Sequence, residues 1–176
     1  SATERMRIKS DGKIGFNTAI PPRDYCFHSG QADTNIQITN NTTGVDDSAG
    51  ALIQQDGNDL YIWNKENSFF SFGTNAVERM RIDSSGKVGI GETSPLGKLH
   101  VKTGDSGASS VGASADEFVI EGSAHAGMTI LSGTSDQGII NFGDSADINI
   151  GGITYNHTGD SLVFRANDAE RARLTS

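Results

Sequence analysis

Glu4-Arg5-Met6-Arg7-Ile8 recurs as Glu78-Arg79-Met80-Arg81-Ile82, and again as Glu170-Arg171-Ala172-Arg173-Leu174. A chain that repeats itself builds one supersecondary unit more than once, so self-similarity constrains the fold before any single motif does. The first two copies lie 74 residues apart, and the offset holds: Lys13-Ile14-Gly15-Phe16 aligns with Lys87-Val88-Gly89-Ile90, Pro21 with Pro95 and Gly30 with Gly104. Further on it grows. Gly50–Ile53 aligns with Gly138–Asn141 and Asp59–Ile62 with Asp147–Ile150 at 88, and Phe72 and Asn75 align with Phe164 and Asn167 at 92. The added length is assigned near Gly104–Asp116 and Gly152–Asp160, where surface loops lengthen at small entropic cost. The repeat divides the chain into a first unit, 1–77, a second unit, 78–169, and the start of a third, 170–176. A chain that opens on Ser1 and stops inside a motif met earlier in full is expected to be a piece of a longer protein.

Each unit reads as short strands between turn clusters. The candidates in the second unit are Arg79–Ile82, Lys87–Gly91, Lys98–Lys102, Glu117–Glu121, Met128–Leu131, Gly138–Phe142, Asp147–Ile150, Ile153–Tyr155, Ser161–Arg165 and Arg171–Leu174. Strand starts roughly 8–12 residues apart with turn signals between them predict an all-β fold. Asp83-Ser84-Ser85-Gly86 suits a hairpin with Gly in the left-handed position. No apolar 3.6-residue period runs over 11 or more positions, so essentially no helix is expected. Alternation in Ala76–Ile82 puts Met80 and Ile82 on one side and Arg79 and Arg81 on the other.

Only 35% of the residues are hydrophobic, and nearly half the chain is Gly, Ser, Thr, Asn or Asp. That composition makes turns readily and a self-sufficient core with difficulty. The net charge of −8 excludes a basic nucleic-acid groove and an anionic-lipid surface, both of which need clustered Lys and Arg. No apolar run approaches the ~20 residues of a spanning helix. Ten short strands in a row make a thin ribbon with long open edges, which invites association. Wrapping by several identical chains is favoured over a single-chain solenoid, because the units are long, uneven and rich in hairpin signals.

Residues 78–95, followed by Lys98-Leu99-His100-Val101, resemble a repeat module of bacteriophage tail fibres, the type that stands upstream of endosialidase-type intramolecular chaperone domains. A degraded copy covers 4–30, and a partial one opens at Ala169. The resemblance implies an elongated, interwound homotrimer of short antiparallel strands and hairpins. It implies a structural and adhesive part of the virion tail fibre, forming a shaft and contributing to host receptor binding. Its implied partners are further copies of itself, other tail or baseplate proteins and a host cell-surface polysaccharide, with no nucleic acid and no membrane insertion. The alternatives are a tailspike-type polysaccharide depolymerase and the stalk of a bacterial trimeric adhesin.

No enzyme motif stands out. Gly89-Ile90-Gly91 has Ser94 where a dinucleotide loop needs its third glycine, so close packing at a strand is the expected use. Acidic pairs such as Asp46-Asp47 and Asp116-Glu117 are read as solvated turns rather than a paired-carboxylate hydrolase site. Cys26 stands alone, and His28, His100, His125 and His157 offer no chelating pair on one strand, so neither a catalytic residue nor a metal or cofactor site is expected. The recurring arginines Arg5, Arg7, Arg79, Arg81, Arg171 and Arg173 are candidates for a repeated structural role, forked onto a carboxylate of a neighbouring chain. Tyr61 and Trp63, on one face of the strand around Asp59–Asn64, are candidates for glycan contact. The aligned positions of the second unit hold Asn149 and Gly151, so the aromatic pair is not an obligatory part of the scaffold.

Overall fold

A computed structural model describes residues 6–8, 10, 14–16, 25–27 and 33–175. Among them the chain is all-β, with no helix. The strands are β1 (Met6–Ile8), β2 (Ile14–Phe16), β3 (Tyr25–Phe27), β4 (Asp33–Ile38), β5 (Ala51–Asp56), β6 (Asp59–Asn64), β7 (Phe70–Thr74), β8 (Val77–Ile82), β9 (Val88–Ile90), β10 (Leu99–Lys102) and β11 (Phe118–Glu121) in a first compact unit, 1–124. The second, 125–176, holds β12 (Gln137–Phe142), β13 (Gly151–Asn156), β14 (Ser161–Ala166) and β15 (Ala169–Leu174). The sheet order in the first unit is β1-β2-β3, β4-β5-β6 and β11-β10-β9-β8-β7; in the second it is β12-β13-β14-β15.

The sequence repeat is a repeat of register. Met6↔Phe16, Arg7↔Gly15 and Ile8↔Ile14 reappear 74 residues later as Met80↔Ile90, Arg81↔Gly89 and Ile82↔Val88. The β7–β8 and β14–β15 hairpins correspond at the offset of 92, each with a register shift at its phenylalanine, Phe72 or Phe164. Both turns have two central residues at positive φ, Asn75 and Ala76 (53° and 57°) and Asn167 and Asp168 (52° and 56°). That is the hairpin turn whose twist matches its strands.

Three expectations are corrected. The strands are not all antiparallel: β9 pairs parallel with β10, β10 with β11, and β2 with β3. A crossover through 91–98 joins β9 to β10, and Gly91 (φ 71°) turns the chain into it. Asp147–Ile150 is a turn, because the Asp144 carboxylate accepts the Ala146 and Asp147 N–H groups (2.8 and 3.0 Å) and that of Asp147 accepts Asn149 N–H (3.0 Å). These side chains satisfy N–H groups that a strand ladder would otherwise use. Met128–Leu131 forms no strand either; Ile130 packs over Gly138 of β12, 3.6 Å from where a Cβ would stand.

Register sorts the side chains of the β4–β6, β7–β11 and β12–β15 sheets into an apolar and a polar face. Across β7–β11 the apolar face is two rows, Phe70–Ile82–Val88–Leu99–Phe118 and Phe72–Met80–Ile90–Val101–Ile120. None of these ten residues is buried. The β4–β6 sheet has Ile36–Ile53–Ile62 as its apolar row, and β12–β15 has Ile140–Ile153–Phe164–Ala172. In β4–β6 and β7–β11 loops fold onto the opposite, polar faces, whereas in β12–β15 Ile130 lies on the apolar side, over Gly138. The buried residues on the polar faces are Leu52 in β5, Gly89 and His100 under the 91–98 crossover, Glu121 beside them, and Gly152 and Ser161 in the last sheet. Ala49 and Leu52 are the only buried hydrophobic residues among those described.

Candidate functional site

The polar face of β8–β11 carries the densest chemistry. Gly89 lies beneath the crossover, where a Cβ would strike the Glu92 carbonyl and stand 3.1 Å from the Pro95 ring. This is the close approach expected of that glycine. Next to it on β10, His100 is fully buried, and its Nδ1 accepts the Leu96 N–H at 3.3 Å. Its Nε2 faces Glu121 Oε2 at 3.0 Å without the alignment of a hydrogen bond.

Glu121 is held by the Ser106 N–H and hydroxyl, at 2.7 and 2.8 Å on Oε1. Those bonds, aided by the Lys102 ammonium, push its carboxyl down from 4.5 to about 2. Lys102 Nζ stands 2.7 Å from Glu92, 3.5 Å from Glu121 and 3.6 Å from Asp105. The Glu92 bond raises the lysine, and the same bond lowers Glu92.

Donor atoms of Glu92, His100 and Glu121 lie within 4.8 Å of one another, a spacing that a metal ion could span. The chemistry of the set favours an ion-pair network instead. Lys102 already supplies the cation, and a ligating imidazole donates its other N–H, whereas Nδ1 here accepts one. In the first repeat copy the position of His100 is Cys26, which likewise pairs with a glycine, Gly15. The lack of a second histidine on the strand of His100 gave no sign of this network. The signal was available: Glu92 and Lys102 replace Thr18 and His28 of the first copy.

The recurrent arginines have a shared geometry. Arg81 forks onto Glu78 with Nε and Nη2 both at 2.8 Å, and Arg173 onto Glu170 at 3.0 and 2.6 Å. The carboxylate therefore comes from the same strand, three residues earlier. It raises both guanidiniums and lowers both glutamates. Arg79 and Arg171 reach back over the hairpin turn, to the Thr74 hydroxyl (3.0 Å) and the Ala166 carbonyl (2.8 Å). Arg81 also covers the Phe69 ring at 3.8 Å and bonds the Thr93 carbonyl at 3.2 Å, tying the crossover to β8. Arg7 has the register position of Arg81, on β1, and its side chain lies outside the described residues, as does Arg5.

Tyr61 and Trp63 do share a face of β6, with ring centroids 5.5 Å apart and planes 14° from parallel. Register places Gln54 and Asn35 beside Tyr61, and Leu52 and Gln37 beside Trp63. The polar face of β4–β6 thus mixes amides with aromatic rings, while Leu60 and Ile62 lie on the other side. No protein-family model matches this chain, and no curated protein matches its sequence.

Proposed function

We propose that this chain is a structural and adhesive segment of a phage tail fibre, a homotrimer whose three copies share one apolar core. The observation that carries this reading is the open two-row face of β7–β11. Burying apolar surface is the main favourable term in association, and a face that wide is far beyond the scattered exposed side chains of a monomer. In β7–β11 the 91–98 crossover covers the polar face, so the apolar face is left for another chain. Resemblance to the fibre module supplies the number three and the virion setting, with other tail or baseplate proteins as neighbours. The role is mechanical and adhesive rather than catalytic: the buried carboxylates are engaged by Lys102 and Ser106 and by one imidazole, a scaffold's use of charge. Three-fold display raises the effective concentration of weak receptor contacts.

Light scattering after size exclusion tests the reading. A mass near 56 kDa, three times the 18.6 kDa of one chain, supports it. An 18.6 kDa species at all concentrations overturns it.

A further inference from the structure

The polar face of β4–β6 has hydrogen-bonding groups left over. Gln54 is half-buried, and among the described residues its amide, the Tyr61 hydroxyl and the Trp63 indole N–H make no hydrogen bond. The neighbouring Gln37 is used differently, donating to the Asp46 and Ala49 carbonyls at 2.7 and 3.0 Å, which folds the 46–49 loop over one edge of the face. Lys65 bonds the Asp47 carbonyl and closes the same edge. Beside the rings is a cleft of about 230 Å³ lined by Asn35, Gln37, Asp47, Leu52, Gln54 and Lys65; neither ring lines it, and Gln54 and Leu52 join it by register to Tyr61 and Trp63. That is smaller than the roughly 300–1,000 Å³ of a drug-sized site, so it takes the rim of a ligand rather than the whole of one.

We propose that this face is a saccharide-binding site for a neutral hexose unit, with Trp63 as the stacking platform and Gln54 as the principal polar anchor. A sugar ring has an apolar C–H face and a rim of hydroxyls. Trp63, 47% exposed and stiffened from behind by Tyr61, offers an aromatic plane to the first. An uncommitted amide, which both donates and accepts, matches the second. Charge selects within the class. Asp56 and Asp59 stand opposite each other at the end of this face, and the one lysine of the cleft is tied to the 46–49 loop, so acidic sugars are disfavoured. The proposal deepens the adhesive reading by naming the receptor chemistry and its place, and it uses groups of one chain only.

Trp63 is the only tryptophan, so intrinsic fluorescence reports the site directly. The assay titrates the assembled protein with glucose-, galactose- and mannose-based disaccharides, with sialyllactose as the acidic comparison. A saturable change in emission with at least one neutral sugar, weaker by tenfold or more for sialyllactose and for Gln54→Ala, supports the site. Emission unmoved by every neutral sugar, or a response that Gln54→Ala leaves intact, overturns it. Circular dichroism on Gln54→Ala confirms its fold, and a second exposed-face variant, Tyr61→Phe, keeps the test open should the first misfold. Failure of the fibre reading appears separately, as a monomeric mass with sugar binding retained.

Discussion

Glu78 and Arg81 stand three residues apart on one strand and still meet in a two-pronged ion pair, both prongs at 2.8 Å. Strict alternation would put them on opposite faces. The register explains the meeting: Gly73 pairs with Glu78 and Phe72 with Met80, so Arg79 is an extra residue, a bulge that brings Glu78 round to the side of Arg81. Arg171 is the extra residue between Glu170 and Arg173 in the same way.

Deleting Arg79 should therefore leave the ion pair standing. The deletion removes the bulge and sets Glu78 two residues from Arg81, on one face by plain alternation, so the expected result is a Tm within about 2 °C of that of Arg79→Ala. A Tm lower by roughly 5 °C or more for the deletion alone would show that the bulge itself is needed to hold the pair.

Ala76 has φ 57° in the β7–β8 turn, a conformation in which a Cβ is a burden. Ala76→Gly should stabilise the protein by about 0.5–1 kcal/mol, the left-handed strain being partly offset by the greater freedom of glycine when unfolded. Urea midpoints of the two proteins check this, and a lower midpoint for the glycine variant would refute it.

Glu121 makes stability pH-dependent. Its folded carboxyl is lowered from 4.5 to about 2, so its contribution is complete above about 4.5 and is lost as the pH falls through that window towards 2. Thermal melts from pH 6 to pH 2 should show a steep decline below about 4.5. Glu121→Gln should start lower and decline less. Parallel curves for the two proteins would remove Glu121 as the cause.

The two faces of β6 should separate assembly from recognition. Ile62→Asp puts a charge into the apolar row Ile36–Ile53–Ile62 and should reduce the solution mass to that of one chain. Trp63→Ala, one residue on and facing the other way, should leave the mass unchanged and abolish sugar binding by a calorimetric assay. A fall in mass for both variants would mean that Trp63 packs between chains.

Much of this architecture was legible in the residues. The offsets of 74 and 92 correspond to real repeats of register because paired strands must keep their spacing, and the shared face of Tyr61 and Trp63 follows from two-residue alternation. The offset of 88 misled at Asp147–Ile150, where apolar residues alternate as in a strand but Asp144 and Asp147 bond the backbone locally. Parallel pairing of β9 with β10 was also hidden, since sequence shows a turn signal at Gly91 but not where the chain returns.

The sequence by itself determined which segments extend, where they turn and which side chains alternate, because these depend on contacts within a few residues. Only the tertiary structure decided which face the loops cover. The 91–98 crossover settles over Gly89 because glycine leaves room for its carbonyl, and that single placement buries His100 and Glu121, draws Lys102 between the carboxylates and leaves ten apolar side chains open on the other side. Those are contacts between residues distant in the chain, fixed by packing and charge balance rather than by local preference.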